Sequence, residues 1–427
     1  MQPKRSKPDR LSNYPPAPAW PRDETAVLSE TDAPLALLLW QRARDVRLWA
    51  SAPAGGRGAL FVGNEAVEGA LEAAGEGFAD GLSAPLRTLR AVVRFPDLLS
   101  AADVCSACLA VGEWAEREHM PETALHFAEA AALADPTSAR AAAVAGVACT
   151  DQAADQRAEM WLVRAIHVAR RTRSWEWHAR AYLRLGALYY ELGDTRRARR
   201  AHHRARASAM WSGHHTYAAH AEHNLLLVAC VDGTFRAGAE HARNALEVYT
   251  AGFPRLPHLA HDVAFLLTCY GAHADALAIL DVALPFFTQP WERMAALGTV
   301  ARAAGGTRRR ERHSEAVTDV LLLESVAETH AAGALVLCAE GAALLGEDER
   351  AHRLATRALD WARRRREREV QRRVQRVLDG VHTHRGSPPP ADQVAALRAL
   401  FVNRLRERRA ASGVPAAHAE SRQVTTP

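Results

Sequence analysis

Aromatic residues are scarce, at 6% of 427 residues, while hydrophobic residues make up 48% and Ala is abundant. That balance disfavours a sheet-based core and favours closely packed helices with small residues at their contacts. Lysine is nearly absent. Only Lys4 and Lys7 occur, and all other basic side chains are Arg, which a high-GC coding bias explains. The net charge of +5 is too small over this length to be a nucleic-acid signature. Six cysteines in so long a chain do not suggest a disulfide-stapled secreted module. Long apolar runs are missing too: "APLALLLW" is too short to cross a bilayer, and the basic N-terminus runs into proline with no apolar segment after it. A soluble, cytoplasmic protein with no membrane partner is expected. The motifs of hydrolytic chemistry are absent as well. There is no G-x-S-x-G, no H-E-x-x-H and no convincing carboxylate pair, and Ser314 beside His313 points away from it if both lie on a helix. No catalytic residue, no cofactor and no enzymatic activity is expected.

What is present is a repeat. The clearest unit reads "YLRLGALYYELGDTRRARRAHHRA": Tyr182, Leu185, Gly186 and Tyr189 give aromatic-x2-Leu-Gly-x2-Tyr, Gly193 marks a turn, and Ala198, His202 and Ala205 follow on a second helix. This pattern resembles the tetratricopeptide (TPR) repeat, a helix–turn–helix of about 34 residues. Small residues at its eighth, twentieth and twenty-seventh places let the helices approach closely. The eighth place falls on Gly112, Gly146, Gly186, Leu226, Ala264, Gly298 and Ala339, and the twentieth on Ala124, Ala158, Ala198, Gly238, Ala276, Arg310 and Ala351. The twenty-seventh falls on Ala131, Ala165, Ala205, Ala245, Ala283, Val317 and Ala358, with turn glycines at Gly193, Gly233, Gly271, Gly305 and Gly346. Arg310 is the outlier. The resemblance runs from Asp103 to Arg376, and units near 40 residues look like the arrays of bacterial regulators with TPR-type sensor domains.

The implied fold is all-α: a right-handed α-solenoid of about seven TPR-like helix pairs with extra N- and C-terminal helices. Residues 1–30 are read as a disordered Pro-rich tail and 31–102 as an N-terminal helical region with helices near Leu35–Trp49, Glu65–Phe78 and Pro85–Phe95. Residues 103–360 form the array, 361–410 basic capping helices and 411–427 a second disordered tail. From Arg350 to Ala410 there are 17 Arg and 6 acidic residues, so the positive charge gathers there. "GGRGALFVG" at Gly55–Gly63 lacks the Lys-Ser/Thr of a phosphate loop and reads as a flexible loop. The lone pair Cys105 and Cys108 reads as core packing.

In the TPR frame, places 2, 5, 9 and 12 of each first helix face a concave groove. The resemblance therefore assigns Arg180 and Tyr190 of the third unit, His220 and His223 of the fourth, and His258, His261 and Phe265 of the fifth to a peptide- or protein-binding groove. Tyr190 and Phe265 would anchor, while Arg180 and the imidazoles donate. His202 at place 24 packs instead, with His203 turned toward another face and His214 and His215 between units. Four imidazoles spaced i, i+3 on neighbouring helices could hold a transition metal, but nothing clearly completes a tetrahedral shell, and no metal is assigned. A chaperone-tail adaptor is disfavoured because the repeats contain no Lys. The expected function is a non-catalytic protein-interaction scaffold. Two alternatives stand beside it: a regulator of a transcription system whose Arg-rich segment 363–376 contacts nucleic acid, and a metal-binding protein using the histidine groove.

Overall fold

The computed structural model describes residues 17–18, 25–62, 81–232, 234–365, 367–380 and 388–412. The expected helix at Glu65–Phe78, the turn glycine Gly233, and most of both expected tails lie outside them. Among the described residues the chain is all-α, with neighbouring helices packed on one another as expected of an α-solenoid. It divides into two compact units, Met1–Leu188 with Trp211–Gly213, and Tyr189–Met210 with His214–Pro427.

The first unit holds α1 (Ala33–Ser51), α2 (Ser83–Arg94), α3 (Ala101–Arg117), α4 (Pro121–Ala134), α5 (Ala139–Asp151), α6 (Asp155–Thr172) and most of α7 (Trp175–Glu191). Its order begins earlier than the boundary at residue 30. Val27, in a short 3-10 turn, is fully buried, and the Glu30 carboxylate accepts the Glu122 and Thr123 amides at 2.6 and 2.8 Å, capping α4. The glycine-rich stretch is also not a free loop. Ala54–Ala59 forms a 3-10 turn in which Arg57 lies 3.6 Å over the ring of buried Trp49 and donates to its carbonyl at 3.1 Å.

The second unit continues with α8 (Thr195–Trp211), α9 (His215–Asp232), α10 (Phe235–Val248), α11 (Leu256–Cys269), α12 (His273–Ala283), α13 (Pro290–Gly306), α14 (Arg310–Leu323), α15 (Glu328–Leu344) and α16 (Asp348–Arg364). Two basic helices follow, α17 (Arg368–Leu378) and α18 (Ala391–Ser412). Within the units, α3–α4, α5–α6, α9–α10, α11–α12, α13–α14 and α15–α16 pack as consecutive pairs.

The small places are where the frame puts them. Ala124, Ala158, Ala198, Ala276 and Ala351 are buried, as are Ala131, Ala165, Ala205, Ala245, Ala283 and Ala358. A Cβ at Gly112 would touch the Ala124 carbonyl at 3.6 Å, and one at Gly146 would sit 2.6 Å from Leu162 Cγ, so these glycines set the spacing within their pairs. Gly186 is buried as well. Gly298 works between pairs instead: its Cβ would stand 2.8 Å from Ala334 Cα on α15.

Each described turn inside a pair carries one residue at positive φ: His119, Ala153, Gly193, Gly271, Arg308 and Gly346, between 53° and 82°. The buried twentieth place always lies five residues beyond it. This corrects the sixth unit. Gly305 is not its turn residue but lies inside α13, pressed on Gly341 of α15, where any side chain would run into the Gly341 carbonyl. The turn falls three residues later, at Arg308, so the slots assigned to Arg310 and Val317 belong to His313 and Val320, both fully buried. Arg310 opens α14 and pairs with Glu347 at 2.7 Å.

The tail is corrected too. α17 packs near α15 and α16 through Val374 and Val377, as a cap would. α18 does not follow it there; it lies against α12, burying Val394, Leu397, Phe401 and Leu405 in the unit's core. Arg398 pairs with Asp275 at 3.0 Å, and Arg408 donates to the carbonyls of Ala251 and Phe253 at 3.0 and 2.8 Å.

Candidate functional site

Reading places 2, 5, 9 and 12 along α9, α11, α13 and α15 gives one wall of side chains within the second unit. It holds His220 and His223, then His258, His261, Phe265 and Thr268, then Glu292, Thr299 and Arg302, then Glu340. Asp262 stands between the first two groups. His223 Nε2 donates to Asp262 Oδ2 at 2.7 Å, and His261 Nδ1 donates to Oδ1 at 2.9 Å. The other nitrogen of His261 lies 2.9 Å from Thr299 Oγ1. His258 Nε2 donates to Glu292 Oε1 at 3.0 Å. Glu292 sits in the first turn of α13 behind Pro290, and its other oxygen accepts the Gln289 amide at 3.4 Å, so the helix start fixes this carboxylate.

Further along, Arg302 Nε meets Glu340 Oε2 at 2.8 Å, and Arg373 of α17 donates to both Glu340 oxygens at 2.9 Å. The Phe265 ring lies 5.2 Å from the Arg373 guanidinium and 5.9 Å from that of Arg302. Arg302 also reaches Thr268 Oγ1 at 3.0 Å. A basic helix thus closes one end of the wall with a shared carboxylate. At the other end the rings gather. Buried Tyr249 stacks on Phe253 at 4.3 Å and stands edge-on to His220 and His223, and Trp291, 41% exposed, lies between His258 and His330 at 6.1 and 5.1 Å.

The electrostatics follow from these contacts. Burial alone would raise the Asp262 carboxyl, yet the hydrogen bonds and charge of His223 and His261 hold it well below the usual carboxylate range. Burial likewise works against Glu340, and Arg302 and Arg373 overcome it, keeping that carboxyl low. Burial lowers His258 despite the opposing charge of Glu292. Burial pushes the Tyr190 hydroxyl up, with Cys230 adding to it and Arg373 opposing.

Of the residues expected on the groove, His220, His258, His261 and Phe265 are partly buried wall residues, and Tyr190 lies at the α17 end. His223 is different: at 2% exposure it props Asp262 and is closed to a ligand, a correction forced by its pairing across helices. Arg180 belongs to the first unit, where its guanidinium lies 3.9 Å over Trp177 and 3.4 Å from Glu176. His202 packs as expected; burial, then His203, lowers it to about 4. Asp262, Glu292, Thr299, Arg302 and Glu340 were missed. All but Asp262 occupy the same wall places one or two units further on, so extending the frame would have found them.

The imidazoles do not converge on one point. His223 and His261 take opposite oxygens of Asp262 while His258 turns to Glu292, and no group of three His, Cys, Asp or Glu suited to a metal ion occurs among the described residues. Cys105, Cys108, Cys149 and Cys338 are buried, and burial raises each thiol, Cys105 to about 11 and Cys149 and Cys338 to about 12. His313 and Ser314 point apart: His313 meets the Cys338 carbonyl at 3.2 Å, and Ser314 accepts from Arg350 at 3.0 Å. In the Arg-rich segment, Arg365, Arg372 and Arg373 pair with Glu367, Glu369 and Glu340. No described helix is long and apolar enough to cross a membrane.

No protein-family profile matches this chain, and no curated protein does. It is similar to a solved structure described as the Rap conjugation gene regulator of the plasmid pLS20 in complex with the Phr* peptide. Identity is 16%, the match covers 80% of this chain and 98% of that one, and the TM-score is 0.48.

Proposed function

We propose that the chain is a non-catalytic, TPR-like binding protein whose second unit takes a peptide or an extended protein segment along the wall. The observation that carries this reading is the wall itself. Four successive first helices contribute side chains that fix one another by hydrogen bonds, leaving Trp291 and the edges of His258 and His330 toward solvent. Groups held before a ligand arrives lose little freedom on binding, and an aromatic anchor among polar partners is the usual source of affinity. Behind the exposed edges, the buried Tyr249 OH and His258 Nδ1 have no hydrogen-bond partner among the described residues.

An enzymatic role is the poorer reading. Asp262, His261 and Thr299 share the connectivity of an acyl-transfer triad, but Thr299 is fully buried and its hydroxyl also faces the Ala295 carbonyl at 3.4 Å, so no substrate carbonyl reaches it. We place the protein in the cytoplasm, where six free, buried thiols stay reduced. The test is selection of random dodecamer peptides on the purified protein, followed by affinity measurement with His258→Ala and Trp291→Ala. Each substitution is expected to weaken selected peptides about tenfold or more at unchanged helical content. Unchanged affinity in both variants would remove the wall from the binding site.

A further inference from the structure

A cleft of about 670 Å3 opens between residues 192–196, the α7–α8 turn and the first residues of α8, and one side of α17. Its lining includes Arg196, Arg368 and Arg372, together with Gln371 and Gln375, which donate to the Ala362 carbonyl at 2.9 Å and to Asp379 Oδ1 at 2.8 Å, and a single acid, Asp194. That acid is already engaged. It accepts the Arg197 amide at 2.9 Å and pairs with the Arg197 side chain at 2.9 Å, capping α8. Arg372 pairs with Glu369 at 3.0 Å, whereas Arg196 and Arg368 are exposed and make no ion pair among the described residues. Gly193, at φ +74°, lets the Arg372 guanidinium lie directly on the turn, where any side chain would collide with it. The far side of α17 is anchored by Val374 and by Arg373 on Glu340, so the cleft-facing groups stand on a fixed helix. Tyr190, the last wall place of α7, precedes the turn by three residues, so the cleft adjoins the end of the wall.

We propose that this cleft binds the carboxylates of an acidic peptide segment, the anionic end of the partner that the wall takes. The inference rests on the peptide-binding reading above. Planar guanidiniums suit carboxylate oxygens, which accept several donors at once. A nucleic-acid backbone is a poorer match. The cleft carries Glu369 and Asp194 beside its cations, and the neighbouring Arg365 and Arg373 are held in internal pairs.

The experiment uses dodecamers selected on the full chain, their Glu/Asp→Gln/Asn analogues, a dT12 oligonucleotide and the double variant Arg196→Glu/Arg368→Glu. Both substituted residues are exposed, and circular dichroism checks that the helical content is kept. The wild-type chain is expected to enrich acidic residues. Amide analogues and the charge-reversed variant should each weaken binding about tenfold, and raising the salt from 50 to 300 mM should weaken it similarly. Selected peptides without acidic preference, or with affinity unmoved by the double variant, overturn the inference. The wall reading survives that result if His258→Ala and Trp291→Ala still weaken the same peptides. Failure to enrich any peptide removes both. Tighter binding of dT12 than of the peptides, lost in the double variant, reassigns the cleft to nucleic acid.

Discussion

In the first unit the buried carboxylate of Glu129, on α4, accepts from Arg157 and Trp161, four residues apart on α6. In the second, Glu324, just past α14, accepts from Arg357 and Trp361, again four apart, on α16. The brace is the same, and so are the small places around it, but the walls differ. In the first unit α3 presents Ser106, Leu109, Glu113 and Glu116, and α5 presents Arg140, Ala143, Val147 and Thr150. An exposed Arg140–Glu113 pair at 2.6 Å links those two helices there. In the second unit the same places carry imidazoles, carboxylates and rings joined across helices in hydrogen-bonded clusters. Helix pairing therefore depends on small residues and buried braces, while the wall is free to vary.

The sharpest way to break the comparison is at the braces. Glu129→Ala leaves the Arg157 guanidinium facing a buried space and is expected to cost about 3–5 kcal/mol. Glu324→Ala should cost about 1–2 kcal/mol, because Arg357 is 56% exposed and can turn to water. Urea unfolding with exchange read segment by segment measures both; equal losses would mean that burial does not distinguish the braces. Next comes His202, whose counterparts at place 24 in the first unit are Ala128 and Leu162. Burial lowers His202 to about 4, so below about 6.5 the unfolded chain takes up a proton that the folded chain refuses. Stability should fall between pH 6.5 and 4 by about 3 kcal/mol, and His202→Phe should remove that slope. An unchanged slope would place the titration elsewhere.

Within the wall, Asp262→Asn should destabilise the second unit by about 1–2 kcal/mol at neutral pH and leave the first unit unchanged. The depressed carboxyl makes its contribution above the ordinary carboxylate range and loses it only as the pH falls through its own lowered value. The difference between wild type and Asp262→Asn should therefore be flat from pH 5 to 8, and a difference that changes across that window would contradict the assignment. Smallest of all, Arg140→Ala should change stability by less than about 0.5 kcal/mol, since both partners are half-exposed. A larger loss would make the first wall structural as well.

The period of small residues made the helix pairs within each unit legible, because close approach leaves few alternatives to Gly and Ala. It misled at Gly305 because a glycine also serves helix crossings, and only backbone geometry separates that use from a turn. The wall was half legible. Its histidines followed from the frame, but Asp262 sits one place off it, and pairings across helices leave no local trace. The docking of α18 was not legible: an amphipathic helix shows that it has a buried face, not which neighbour buries it.

That docking also orders events in time. The face of α12 that receives Leu397 and Phe401 is finished by Ala283, yet its cover reaches Arg408 before it is complete. At ordinary elongation rates the ribosome needs on the order of ten seconds to make the intervening chain. During that interval this face of α12 stands without its cover.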